Sequence, residues 1–251
     1  MKQAYVRFYA GLNDFLPPER KGQATVYSFE VSGSVKDMVE ALGIPHTEVE
    51  IILVNGKSMD FSYQVQDGDQ ISVYPTFESI DVAPLKRLRP RFPSERRFIL
   101  DAHLGRLAAY LRMLGFDVVY RNDFPDEELA RISAREERIL LTRDLGLLKR
   151  NLVTHGYWVR ATHPREQVLE IVRYFDLVPL FTPFRRCVHC NAVLHTVRKE
   201  LILDRLLPET RQHHHEFYIC PNCDRIYWKG SHFRRMWNFI EEIRSEPELR
   251  H

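Results

Sequence analysis

Between residues 96 and 175 the chain changes its hydrophobic period repeatedly. RRFILDAH (96–103), FDVVYR (116–121), RILLT (138–142) and YWVRAT (157–162) are short apolar runs of strand length, and a helical stretch follows each. LGRLAAYLRMLG (104–115) places Leu104, Leu107, Ala108, Leu111 and Leu114 on one face and stops at Gly115. DEELARISAREE (126–137), DLGLLKRNLVTHG (144–156) and PREQVLEIVRYF (164–175) complete the series, with Pro164 suited to a first helical position. This order predicts an α/β fold with a mainly parallel sheet and helices on both faces.

The first 77 residues have a different rhythm. AYVRFY (4–9) and TVYSFEV (25–31) read as strands, and SVKDMVEALGI (34–44) reads as a helix capped by Ser34. EIILVNGK (50–57) is an apolar strand stopped at Asn55-Gly56, and DGDQISVYP (67–75) is a last strand. Charge divides the chain in the same place. Residues 1–80 hold 6 Lys/Arg against 11 Asp/Glu, whereas residues 81–251 hold 30 against 23. An acidic front and a basic back point to domains with different partners, the basic one suited to a polyanion or simply soluble. Between them, the Pro- and Arg-rich stretch 78–96 reads as a linker. The expected domains are thus 1–77, 97–180 and 181–251.

Several function classes drop out. No apolar run approaches the ~20 residues that a membrane span needs. The N-terminal stretch lacks a secretory h-region, so the expected location is cytoplasmic, where cysteines bind metal more often than they form disulfides. There is no P-loop, no dinucleotide GxGxxG and no serine elbow, so no nucleotide cofactor is expected.

Ligands of open α/β sheets bind outside the carboxyl ends of the strands. Asp101 follows FIL and Asp144 follows ILLTR, and Asp126 opens the intervening helix. If the three carboxylates converge, they require a cation, and hard oxygen ligands suit Mg²⁺ or Mn²⁺. Such a site supports metal-activated hydrolysis of a phosphodiester. Taken singly, each acid is also a reasonable helix cap. Asp123 and Asp117 are left out, Asp117 because it starts a strand and lies at the wrong end of the sheet. Arg143 is placed to meet a phosphate or to form a surface ion pair, and Lys149 and Arg150 can extend a phosphate track or form a solvated helix face.

Cys187-Val-His-Cys190 and Cys220-Pro-Asn-Cys223 are two C-x₂-C knuckles 29 residues apart. Four thiolates at this spacing make a closed, tetrahedral, structural Zn²⁺ site. Tyr218-Ile219 and Ile226-Tyr227-Trp228 read as the hairpin of a zinc ribbon, with His189 surplus to the ligand set and His213-His214-His215 in a loop. A terminal amphipathic helix follows, with Trp237, Phe239, Ile240 and Ile243 as its core face. Arg185, Arg186, Lys229, His232, Arg234 and Arg235 place cations beside aromatics, as RNA-binding surfaces do.

FILDAHLGRLAAYLRMLGFDV, DEEL and RILLTRD, in that order and followed by the ribbon with its WKGSH segment, resemble the Mut-seven C-terminal RNase family of PIN-like nucleases. The likeness spans residues 97–240. It implies a metal-dependent ribonuclease with Asp101, Asp126 and Asp144 as the acidic cluster and Glu127 as the alternative to Asp126. In many PIN domains a further acid stands near the end of the fourth strand. Here VRATHPRE puts His163 there, which implies one tightly held ion, or a second that arrives with substrate. Residues 1–77, with VNG and DGDQISVYP, resemble ubiquitin-like β-grasp domains of the sulfur-carrier type. There is no diglycine at their end, which argues for a docking module with a protein partner rather than a sulfur carrier. The expected function is RNA hydrolysis with the ribbon gripping RNA. The alternative is a non-catalytic RNA- or ribosome-binding adaptor on the same fold.

Overall fold

A computed structural model of the chain describes residues 1–75, 85, 88 and 92–246. Most of the expected linker, 78–96, lies outside the described residues. In chain order the elements are β1 (Lys2–Phe8), β2 (Ala24–Phe29), α1 (Val35–Ala41), β3 (Val49–Val54), β4 (Lys57–Met59) and β5 (Gln70–Pro75). Then come β6 (Arg97–Leu100), α2 (Gly105–Met113), β7 (Asp117–Tyr120), α3 (Asp126–Arg135), β8 (Ile139–Thr142), α4 (Leu145–Leu148), β9 (Gly156–Trp158) and α5 (Pro164–Tyr174). β10 (His195–Val197), α6 (Pro208–His213), β11 (Phe217–Ile219), β12 (Ile226–Trp228) and α7 (Ser231–Ser245) complete the chain. Among the described residues, no helix is long and apolar enough to cross a membrane.

The chain forms two compact units. The first comprises Met1–Glu95 with Pro125–Trp158, and the second Arg96–Phe124 with Val159–His251. In the first, a mixed sheet of five strands runs β2-β1-β5-β3-β4, with β1 and β5 parallel at its centre. The period-two alternation of β1 turns Ala4, Val6 and Phe8 inward, where they meet Val35, Met38 and Val39 of α1. Ser34 caps α1 as expected, its hydroxyl oxygen accepting from the Asp37 amide at 3.1 Å. The Asn55-Gly56 turn is a hairpin that continues into β4 rather than a simple stop, with both residues at positive φ.

The same unit pairs β8 with β9 in parallel, Leu140 opposite Gly156 and Thr142 opposite Trp158. The helix expected over 144–156 is much shorter than its periodicity suggests. It ends at Leu148, and Gly156 opens a strand instead of closing a helix. The reason is tertiary, because residues 149–158 are held by the N-terminal portion. Lys149 Nζ donates to the Glu40 carbonyl at 2.7 Å, and Lys36 bonds the Asn151 side chain. His46 sets its ring nitrogens 2.6 Å from Glu40 Oε1 and 3.1 Å from the Val153 carbonyl oxygen. Buried Glu48 accepts from the Trp158 amide at 2.7 Å, and Phe15 packs on the Trp158 ring. Gly156 permits this approach, since a Cβ there would lie 2.6 Å from Leu148 and 3.5 Å from Thr47.

The second unit pairs β6 and β7 in parallel, from Arg97 opposite Asp117 to Leu100 opposite Tyr120. Helices α2 and α5 pack together over a core in which Phe98 meets Phe116 and Phe175 edge-on, both at 5.8 Å between centroids. The parallel pairing flanked by helices agrees with the expected α/β class. The terminal region holds a three-stranded antiparallel sheet, β10-β11-β12, and the hairpin expected from Tyr218-Ile219 and Ile226–Trp228 is β11–β12. The three histidines are not simply a loop between ribbon strands: His213 closes α6 and His214 caps it.

Gly115 fixes how the chain leaves α2. Its φ is +104°, and a Cβ would lie 2.2 Å from the Thr182 carbonyl oxygen. The close pass lets Thr182 and Phe184 donate to the Leu114 and Met113 carbonyls at 3.0 and 2.9 Å. Gly115→Ala combines a disfavoured φ with a backbone clash, so a loss of about 2 kcal/mol or more is expected. Chemical denaturation of the variant beside wild type checks this, and unchanged stability would refute the close pass.

Candidate functional site

Asp101 directly follows β6. It is buried at 6 % exposure, and its Oδ1 accepts from the His103 amide at 2.8 Å as cap of a single 3-10 turn. Tyr120, the last residue of β7, donates its hydroxyl to the Ala102 carbonyl at 2.9 Å and so holds that turn. Gly105 makes room for the phenol, since a Cβ there would lie 2.6 Å from the hydroxyl.

Asp126 and Asp144 belong to the first unit. Asp144 is exposed and caps α4, with Oδ1 accepting from the Gly146 amide at 2.7 Å and its own amide donating to Thr142 Oγ1 at 2.9 Å. Asp126 is not a cap. Pro125 occupies that position, and Asp126 is the first helical residue, with its carboxylate 3.8 Å from the Arg150 guanidinium. This ion pair links the start of α3 to the segment just after α4. Glu127, one residue along, pairs with Arg131 on its own helix. Asp126 is therefore the acid of the two that is tied to the chain following Asp144. Lys149 is engaged with the Glu40 carbonyl, and Asp123 pairs with Arg121 at 2.7 Å.

The four cysteines come together. Their Sγ atoms all lie within 4.8 Å of one another, with Cys187 to Cys223 at 3.5 Å and Cys190 to Cys220 at 3.3 Å. Each knuckle folds back so that the amide of its second cysteine points at the sulfur of the first, Cys190 to Cys187 and Cys223 to Cys220, both at 3.5 Å. Burial pushes the Cys187 thiol up. The Tyr227 hydroxyl at 3.0 Å and the Cys190 and His189 amides together outweigh that and bring it down to about 7. Cys190, with less such support, is pushed up by burial to about 12. Four soft sulfur donors in a closed cluster fit a metal such as zinc.

Two residues that sequence reading passed over hold this cluster in place. Arg112 of α2 is buried, and its side chain donates to the Val118 carbonyl at 2.9 Å and to the Val188 and His189 carbonyls at 3.3 and 2.8 Å. Burial lowers its basicity, while Cys190, Cys187 and Asp117 act in the opposite direction. Asn191, at φ +73°, accepts from the Val118 amide at 2.9 Å and donates to Asp117 Oδ1 at 2.8 Å. Asp117, set aside at the wrong end of its strand, thus anchors the first knuckle, also pairing with Arg186 at 3.4 Å. The sequence signal for Arg112 is a cation set directly between two apolar residues of its helix, Leu111 and Met113.

The ribbon's other cations are dispersed. Lys229 pairs with Glu216 at 2.7 Å, and Arg185, His232, Arg234 and Arg235 are exposed. Arg185 and Lys229 border one cavity with aromatic residues, and His232 and Arg235 border a second with Tyr110 and Phe239.

Comparison with known proteins finds two matches in family models. Residues 96–240 match the model described as the Mut7-C RNAse domain, and residues 1–81 match the one described as Mut7-C ubiquitin. No curated protein and no solved structure matches the chain.

Proposed function

The chain belongs to the Mut7-C RNAse domain family, and from that premise we propose that it hydrolyses RNA phosphodiesters with Mg²⁺ or Mn²⁺ held by Asp101, Asp126 and Asp144. The observation that supports this most is the match over residues 96–240, which includes all three acids. The donor set is compatible with the metal, because carboxylate oxygens are the ligands that hard divalent cations take. Each strand-end acid spends one oxygen on a backbone amide, which fixes the orientation of the carboxylate.

Bound there, the cation would activate water and neutralise charge developing on phosphorus. The protein's own tasks are to hold the acids still and to balance their charge. Arg150 lies beside Asp126 for the second purpose, and Arg143, the residue before Asp144, would meet a phosphate. The zinc ribbon supplies RNA grip through Arg185, Arg186, Lys229, His232, Arg234 and Arg235. The ubiquitin-like portion braces residues 149–158, the stretch that follows Asp144, and docks a protein partner on its remaining surface. A reducing, cytoplasmic setting suits four metal-bound thiolates.

The test is cleavage of labelled single-stranded and structured RNA by the zinc-loaded chain, with and without Mn²⁺ or Mg²⁺. Cleavage that requires the added ion supports the reading. RNA binding without cleavage under any ion would favour the adaptor.

A further inference from the structure

We propose that the cavity between Phe184, the β11–β12 hairpin and the first turns of α7 binds an unpaired RNA base, with a flanking phosphate on Arg185. This rests on the reading of the chain as an RNA-directed enzyme, and it specifies single-stranded RNA as the form gripped by the ribbon.

The cavity measures about 350 Å³, near the lower end of the ~300–1,000 Å³ that small-ligand sites occupy. That suits one flat base rather than a duplex. Three rings cluster on one side, Phe184 and Phe233 4.4 Å apart and tilted 34° to each other, and each close to parallel with Trp237. Trp237 lies 15° from Phe233 and 20° from Phe184, at 6.0 and 6.1 Å between centroids. Trp237 nevertheless keeps 39 % of its surface exposed, so its indole is not consumed by the core. Arg244 lies 5.9 Å from the ring centroid and steadies it. From the hairpin, Trp228 lines the same cavity and is 37 % exposed. Gly230 allows the chain to pass against its indole, since a Cβ would lie 2.8 Å from Nε1. Phe184 itself sits at φ +60°, a strained backbone held by the Met113 carbonyl contact, as residues of binding sites often are.

Charge identifies the occupant. Arg185, Arg186 and Lys229 line the cavity, and among the described residues no Asp or Glu does. Arg186 is committed to Asp117, and Lys229 to an exposed pair with Glu216 that a phosphate can displace at small cost. Arg185 is exposed and makes no ion pair among the described residues. Aromatic faces beside an exposed, unpaired cation match a base and its phosphate. Base–aromatic stacking tolerates any sequence because every base has a π-face.

The experiment uses the full zinc-loaded chain without added Mg²⁺ or Mn²⁺. It measures binding of a labelled single-stranded RNA, a wholly abasic strand of equal charge and a blunt duplex. Wild type is expected to prefer the base-bearing strand, and Trp237→Ala to lose about 5- to 100-fold on that strand alone. Trp237→Phe, which keeps a ring, should retain most of the affinity. Arg185→Ala should flatten the salt dependence by about 0.7 in log–log slope. Should Trp237→Ala prove unstable, the abasic strand makes the same comparison on wild type. Equal binding of abasic and normal strands overturns the proposal, as does competition by an acidic or proline-rich peptide where RNA has no effect. Failure of the ribonuclease reading looks different: no cleavage under any ion, with Trp237-dependent binding of single strands intact.

Discussion

Asp144→Asn is expected to reduce metal-dependent RNA cleavage at least 100-fold while leaving the melting temperature within about 1 °C of wild type. The substitution separates the two readings of this residue. As a cap, Asp144 needs only an oxygen to accept from the Gly146 amide, and asparagine supplies one equally well. As a metal ligand it needs a full negative charge, which asparagine lacks. Metal-centred charge stabilisation is worth several kcal/mol, and each 1.36 kcal/mol is about tenfold in rate, hence the expected factor of roughly 100 or more. Asp144→Ala would confuse the matter, since it removes the cap as well, at a cost of about 1 kcal/mol. Parallel melting curves and initial rates in Mn²⁺ settle it. Full cleavage by Asp144→Asn would leave Asp144 as a helix cap and nothing more.

Much of this architecture is legible in the residues themselves. Strand–helix alternation, the Ser34 cap and the twin C-x₂-C knuckles are local signals, and the structure forms all three where the residues indicate. The acids at strand ends were legible as positions, although sequence could not tell a cap from a helical first-turn acid at Asp126, because both follow a turn. What failed was the helix over 144–156. Its periodicity is real, but residues 149–155 satisfy Glu40, Lys36 and His46, more than a hundred positions earlier, and propensity gives way to that packing. Arg112 and Asn191 were unreadable for a related reason. Each bonds backbone groups more than seventy positions away, Arg112 the Val188 and His189 carbonyls and Asn191 the Val118 amide, and a backbone group leaves no trace in a sequence pattern.

Stripping zinc by chelation, or replacing one ligand as in Cys220→Ser, is expected to lower the melting temperature by about 10 °C or more. The ribbon's own buried apolar cluster is Ile202, Leu206 and Phe217, with Val197 and Ile226 half-buried beside it. At roughly 1.5–3 kcal/mol for each buried side chain, that core cannot order so long a segment unaided. Structural zinc supplies about 10–16 kcal/mol of apparent folding free energy in small ribbons and fingers. Deprotonation is part of the same balance. Burial holds the Cys190 thiol near 12, so in a metal-free chain it stays protonated and contributes no ligand charge. The loss should also spread beyond the ribbon. Arg112 holds the Val188 and His189 carbonyls inside the first knuckle, and if the knuckle opens, a buried guanidinium on α2 loses two of its acceptors. Melting of β6, β7 and α2 is therefore expected to shift with zinc, as hydrogen exchange at the Val118 and Leu111 amides would report. If chelation melts only the ribbon and leaves those amides protected, Arg112 is not the coupling element. If it changes no transition at all, the four cysteines are ordinary thiols.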